Sequence, residues 1–321
     1  METMQITLKP LSAFGSAIKG DTLFGQMCWA IRNRFGVNQL NELLQDYTNN
    51  RPFAVISDAF PRAWLPRPAL PLSFFDKLMD VERKQIKKLN WMPVEAFKQP
   101  IKSWLAYCKA ETDIIEGDNS SLQTEIMQPH NSISRLTGTT GKGDFAPYTM
   151  ARYWFPTDNQ LLIYCCFDAE RIERDDILQV LEDIGSIGYG RDASIGLGKY
   201  VIVDTIKDPW PTQDQPNSYM TLAPCAPQGL AFEAGHSFYQ PFTRFGRHGD
   251  MGVHAGHPFK TPLLLTNSAA ILTPKEFHNT PYIGRGLGGN GQLSRAIQET
   301  VHQAYTPVLA VQLPKHEVTD S

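Results

Sequence analysis

Two groups of histidines stand where they could move protons. His130 opens "HNSISR", followed by Asn131, Arg135 and Lys142, a set of polar and cationic side chains able to meet a phosphate. His248, His254 and His257 crowd into "HGDMGVHAGH". Their spacing matches neither of the histidine patterns that zinc helices use, and the interleaved glycines oppose a helix, so this segment reads as a loop without metal. The acids are less suggestive. Asp175-Asp176 and Glu182-Asp183 fall on the polar face of a helical pattern, and Asp144 and Asp192 have no visible partner. No catalytic residue, metal or cofactor is read from this set.

The densest special feature is "SIGYGRDASIGLGKY", residues 186 to 200. A dinucleotide fingerprint needs strand, glycines, then helix, so that pyrophosphate meets the helix N-terminus. Here a helix precedes the glycines and a strand follows. The other glycine run, "TGTTGKGDF", lacks the spacing and the apolar helix of a phosphate-binding loop. Two readings stay open for the first stretch. Gly188, Gly190, Gly196 and Gly198 present open backbone amides to the phosphates of an extended strand, with Arg191, Ser194 and Lys199 adding donors. Alternatively, the glycines only make a helix-to-strand turn with positive φ.

These residues sit in a chain of 321, enough for one large or two modest domains. Hydrophobic residues make up 42% and charged residues 20%, the balance of a water-soluble protein. A net charge of −3 excludes bulk polyanion binding but not a local basic groove. The five cysteines form no CxxC pair, and adjacent Cys165 and Cys166 lie in an apolar run. They read as small hydrophobes in a reducing compartment. With no signal pattern or membrane-spanning run, the expected location is the cytoplasm.

The elements that must position the chemistry follow from periodicity. "MQITLKP" alternates as a half-buried strand. "GDTLFGQMCWAIRNRFG" reads as a helix capped by Asp21, with Phe24, Cys28, Ile31 and Phe35 inward and Gly36 closing it. Residues 50–75, rich in proline and aromatics, predict an irregular excursion whose apolar side chains, with Trp29, form an exposed interface. Residues 77–109 carry eight bases and three acids and read as a solvated helix, followed by an acidic loop. "NQLLIYCCFD" is a strand. "ERDDILQVLEDIG" is a helix, with Ile177, Val180, Leu181 and Ile184 inward and Gly185 at its end. "KYVIVD" is a further strand. The order suits a split βαβ unit with a long insertion. After the linker "KDPWPTQDQPNS", "TPLLLTNSAAIL" reads as a strand, "GQLSRAIQETVHQAY" as a helix and "TPVLAVQLP" as a final strand.

"KGDTLFGQMCWAI" and "IGYGRDASIGLGKY" together resemble the RAMP superfamily of CRISPR-associated proteins. "SDAFPRAWLPRPALP", "KKLNWMPVEAF", "HNSISRLTGTTGKGDFAPYTMARYWF", "FTRFGRHGD" with "PFKTPLLL", and "YIGRGLGGNGQLS" are similar to the Csm four subunits of type III complexes, a Cas five-like group. The resemblance runs in order over most of the chain. It implies an α+β fold of two ferredoxin-like (RRM-like) RAMP domains in tandem. Residues 1–206 would form the first, with an irregular insertion at about 50–130, and 207–321 the linker and second. It further implies a non-catalytic subunit that holds the repeat-derived 5′ handle of crRNA. Such a subunit caps the backbone beside the large polymerase-type subunit (Cas ten) and an adjacent backbone RAMP subunit (Csm three), and meets target RNA only indirectly. The RNA-contacting residues would be Lys19, Gly20, Thr22, His130, Asn131, Arg135, Lys142, Gly188, Gly190, Arg191, Ser194, Gly196, Gly198, Lys199, Arg247 and Arg285. Asp21, whose carboxylate competes with phosphate at a helix N-terminus, is left out. The alternative within the superfamily is a metal-independent endoribonuclease that uses histidine with the RNA 2′-hydroxyl as nucleophile.

Overall fold

A computed structural model of the chain describes residues 1–79, 81–114, 122–207, 210–254 and 256–314. Strand β1 (Glu2–Pro10) buries Met4, Ile6 and Leu8 completely, as its alternation demands. Helix α1 (Gly20–Phe35) and the shorter α2 (Val37–Leu44) follow, then β2 (Ala54–Ile56). Strand β9 (Leu161–Phe167), helix α5 (Arg174–Ile187) and β10 (Tyr200–Ile206) complete the first unit. The strands lie in the order β10-β1-β9-β2, every neighbour antiparallel. This is the connectivity of a split βαβ unit. All seven residues of β9 are buried, which is why its sequence reads as an unbroken apolar run rather than an alternation.

The insertion between β2 and β9 contains β3 (Phe60–Pro61), which pairs with β9, and a small sheet of β4 (Trp64–Pro66), β5 (Leu89–Pro93) and β6 (Lys109–Ala110). Residues 77–109 are broken into turns and the one-turn helices α3 (Arg83–Ile86) and α4 (Trp104–Tyr107), not the single solvated helix expected. The acidic loop expected next is described only in part, since 115–121 lie outside the described residues. An antiparallel hairpin, β7 (Thr124–His130) and β8 (Tyr148–Trp154), ends the insertion.

The apolar excursion at 53–75 is not an exposed interface. Phe53 and Phe60 are buried in the core, and so are Phe74 and Phe75. Large apolar side chains instead stand in solvent on the β7–β8 hairpin, including Met127, Leu136 and Tyr148, and at Phe245, Phe259 and Leu264.

After the linker, β11 (Ser218–Thr221), β14 (Ile271–Leu272), β15 (Tyr282–Gly288) and β16 (Val301–Val311) form a sheet of order β14-β11-β16-β15. A separate ribbon pairs β12 (Pro241–Arg244) with β13 (Leu263–Thr266). The segment "TPLLLTNSAAIL" is thus two strands, parted by a turn in which Ala269 takes positive φ. The described part of 207–321 contains no α-helix. Residues 291–305, expected to be one, are turns followed by β16, because "VHQAYTPVLAVQ" can bury nearly every side chain in a central strand. Among its described residues the second half thus shows none of the α-helices of a ferredoxin-like domain, and the second such domain expected there is not borne out.

The halves share one core, in which Tyr305 and Leu309 join Met4 and Phe24. Side-chain to backbone hydrogen bonds cross the seam between them. The Gln303 amide bridges Ile56, accepting from its N–H at 2.9 Å and donating to its C=O at 2.7 Å, and Tyr305 Oη donates to Tyr47 O at 2.7 Å. Replacing Gln303 with Leu strands two buried backbone groups, at a cost of about 3 kcal/mol. Chemical denaturation should show one cooperative transition for wild type and a lower midpoint for Gln303→Leu. Two separate transitions in wild type would mean that the halves are not coupled.

Candidate nucleic-acid interface

The glycine stretch begins where α5 ends: Gly188 is the C-cap at φ 122°, one turn beyond Gly185, which lies within the helix. The four inward positions expected on α5 are all buried. The loop then folds down on residues 12–19. Gly198 N–H donates to Ala13 O at 2.8 Å and Lys199 N–H to Ser12 Oγ at 2.9 Å, while Tyr189 Oη accepts from Lys19 N–H at 3.0 Å. A side chain at Gly198 would drive into the Tyr189 backbone, and one at Gly190 into Ser16 Oγ. The closest approach these glycines make is therefore to the protein itself. Gly196, at φ 93°, has open space around its missing side chain.

This packing narrows the cradle that the sequence suggested. The amides of Gly188, Gly196 and Gly198 already have backbone acceptors. Asp192 adopts a left-handed conformation and starts a short 3₁₀ turn at Ala193–Ile195. Among the described residues the amides of Gly190, Asp192, Ala193 and Ser194 have no protein acceptor, and the last three are consecutive, so they form the row of donors open to an anion. Arg191 flanks them with a side chain 41% exposed, its Nη2 donating to Ala151 O at 2.6 Å. Ser194 and Lys199 are exposed.

Beside this loop lies a cavity of about 620 Å³, lined among others by Phe14, Lys19, Trp91, Tyr153, Phe155 and Arg191. Aromatic side chains line it together with Lys19, Asp58 and Arg191, a lining that suits a planar ring carrying an anionic group.

The start of α1 is tied down by two buried carboxylates. Lys19, rather than Asp21, is the N-cap, and its Nζ pairs with Asp58 Oδ2 at 2.7 Å. Gly20 N–H donates to Asp58 Oδ1 at 2.9 Å, and Gly20 itself is packed against Ile56 and Ser57. Gly20 thus offers no donor to a ligand, and Lys19 reaches the cavity wall only as half of an ion pair. Thr22 is half-buried, its amide donating to Asp21 Oδ1 at 2.8 Å. The inward face of α1 is Leu23, Phe24, Met27 and Ile31; Phe35 is exposed.

Asp21 accepts from Arg244 Nε at 2.7 Å and Nη2 at 3.0 Å, and His302 Nε2 approaches Oδ2 at 3.4 Å. Burial alone would raise its pKa, but the bond and charge of His302 and the charge of Arg244 overcome it and hold the carboxyl at about 2. Sequence reasoning missed Asp58, Arg244 and His302 as partners of this corner, because each is far from α1 in the chain.

The remaining candidates are dispersed. Asn131, Arg135 and Lys142 lie exposed on the loop between β7 and β8, at the far end of a seven-residue ladder about 20 Å long. His130 stacks on Tyr148, ring centroids 5.2 Å apart, and Arg152 Nη2 lies 3.4 Å from its Nε2. Arg247 is on the β12–β13 ribbon and Arg285 on β15, half-buried near Gly229. The histidine cluster at 248–257 does not converge: His248 is buried against Ser294 Oγ at 2.8 Å, its pKa lowered by burial and by Lys260, whereas His254 and His257 face solvent. Among the described residues no cluster of three metal-ligating side chains forms, and no helix is long and apolar enough to cross a membrane. The thiols of Cys165 and Cys225 are pushed up to about 12 by burial, consistent with a packing role.

Because the folded pKa of Asp21 lies below its ordinary 3.8, its stabilisation is complete above pH 4 and is lost as pH falls towards 2. The effect is about 2 kcal/mol. Asp21→Asn, which leaves the half-buried Arg244 without its counter-charge, should be less stable at pH 7 by about 2 kcal/mol. Its stability should fall less than that of wild type between pH 4 and 2. Parallel acid limbs for the two proteins in denaturant titrations would refute the assignment.

No protein-family model and no curated protein matches the sequence. Among solved structures, the chain aligns with one in a Csm1–Csm4 cassette bound to pppApA at TM-score 0.61 and 14% identity, covering 98% of this chain and 100% of that one. A Csm1–Csm4 cassette bound to cA4 gives 0.60 at 15% identity, with the same coverage. A Csm3–Csm4 subcomplex of the type III-A CRISPR-Cas interference complex gives 0.60 at 13%, covering 96% and 98%. The subunit common to these complexes is Csm4. From end to end, this chain has a Csm4-like fold.

Proposed function

We propose that this protein is a crRNA-binding subunit of a type III CRISPR effector complex, holding the 5′ repeat-derived handle without cleaving it. The observation that carries the reading is the meeting of the glycine loop and the aromatic cavity on a chain whose whole length follows the Csm4 fold. In this reading the handle backbone runs past the free amides of residues 192–194, Arg191 supplies the phosphate-directed charge, and a base enters the chamber beside Phe14 and Trp91. Lys199 and Ser194 extend the same edge. The β7–β8 hairpin carries Arg135 and Lys142 out to a second stretch of RNA backbone. Neighbouring subunits would be a Csm1 and a Csm3 protein, the partners named with the similar Csm4 chains. Lys19 is held by Asp58 at 2.7 Å, whereas Arg191 has Asp192 only at 3.7 Å and a more exposed side chain, so Arg191 is the cation freer to meet phosphate.

Arg191→Ala should weaken binding of handle RNA about three- to tenfold, equally for RNAs of different sequence. It should also reduce the slope of log K against log salt by about 0.7. Gly196→Val strains a backbone at φ 93° without a packing clash, so it should fold and bind more weakly still. Wild-type affinity and slope in both variants would leave the loop as a turn only. Incubated with repeat RNA in EDTA, the protein should protect the RNA. Products ending in a cyclic phosphate would reveal an endoribonuclease.

A further inference from the structure

The β12–β13 ribbon has an outer face that the handle site does not use. Pairing continues beyond the regular strands: Lys260 N–H donates to Gly246 O at 2.9 Å and His248 N–H to Pro258 O at 2.8 Å, and Arg247 bridges to Phe259. Along residues 241–248 the side chains alternate strictly. Phe242, Arg244, Gly246 and His248 turn inward, while Thr243, Phe245 and Arg247 turn out.

The inner face is pinned at both ends of α1. Arg244 holds Asp21, Gly252 packs against Trp29, and Asn33 Nδ2 donates to Asp250 Oδ2 at 2.7 Å. The ribbon is a rigid strut along the helix. Its outer face nevertheless leaves Phe245 75% and Phe259 69% exposed, with the Arg247 guanidinium 5.8 Å from the Phe259 ring centre.

Two phenylalanines held in solvent on a braced ladder, one of them under a guanidinium, need an occupant with flat faces and negative charge. Residues 241–266 contain three cations, Arg244, Arg247 and Lys260, and one anion, Asp250, which is already bonded to Asn33. Arg244 is neutralised by Asp21 and Lys260 turns inward, so Arg247 is the cation that the outer face offers. Aromatic rings presented with arginine are the arrangement that stacks successive bases of a single strand without reading their sequence. We propose that this face is a second, sequence-tolerant platform for single-stranded RNA, with bases stacking on Phe245 and Phe259 and a phosphate meeting Arg247. The proposal rests on the RNA-binding reading above but not on the glycine-loop site.

The test uses the full chain and two fluorescent probes of equal length and charge, an oligouridylate of about 16 nucleotides and its abasic counterpart. Wild type should prefer the uridylate by about tenfold or more. Phe245→Ala with Phe259→Ala should remove most of that preference, bind the abasic chain as wild type does and keep the wild-type melting temperature. Arg247→Gln should lower the salt slope for both probes by about 0.7. Arg191→Ala should weaken both probes yet keep the preference, which separates this platform from the handle site. The proposal is overturned if wild type shows no preference for bases or binds neither probe. It is equally overturned if the double variant keeps the preference. Loss of co-purification with a neighbouring protein subunit, with RNA binding intact, would make the face a protein-docking surface instead.

Discussion

The buried carboxylate of Asp21 is the constraint on which the arrangement depends. It lies in the first turn of α1, where the helix dipole favours negative charge, and it accepts both arms of Arg244 with His302 close by. Three elements from different parts of the chain, α1, the β12–β13 ribbon and β16, are thereby fixed at one point. Asp58 repeats the device a few residues away by holding Lys19 and the Gly20 amide. Buried charges are tolerated only when paired, so these two acids specify how the helix start and the second half meet.

That corner determines what the glycine loop can do. The segment leading into α1 is held against β2 by Asp58, and the glycine loop packs on that same segment through Tyr189, Gly190 and Gly198. The amides of Arg191, Gly198 and Lys199 are consumed by this docking and most others by the loop's own turns, and the consecutive free ones point the candidate interface to residues 192–194. Of the two readings that the sequence left open, the turn is observed in the positive φ of Gly188, Gly190, Gly196 and Gly198. That turn leaves a short row of amides beside Arg191 and an aromatic chamber.

How legible this was depended on the range of the interaction. Strand β1 and helices α1 and α5 were visible because local periodicity sets their buried faces, and β9 because an unbroken apolar run marks a strand buried on both faces. The helix expected at 291–305 was lost to a tertiary effect: a segment with mixed helical spacing gains more by filling the middle of a sheet, where it buries nearly all its side chains. Phe53, Phe74 and Phe75 looked like an exposed patch because proline-rich stretches carry no periodicity, yet the irregular chain packs them inward. The candidate cations were recognisable as residues but not as a constellation. Arg191 and Lys19 meet at the cavity, whereas Arg247, Arg285 and the hairpin tip lie elsewhere, a separation that only long-range pairing decides. The partners Arg244, His302 and Asp58 left no local signal at all.

The central claim is that the chamber beside the glycine loop holds the handle of crRNA. The most direct measurement places 4-thiouridine at successive positions of the handle, irradiates the complex and maps the crosslinked peptides by mass spectrometry. The account predicts that at least one handle position crosslinks to peptides containing Arg191 or Tyr153, and that Arg191→Ala diminishes this crosslink. Crosslinks confined to surfaces away from both peptides, at every handle position, would contradict it.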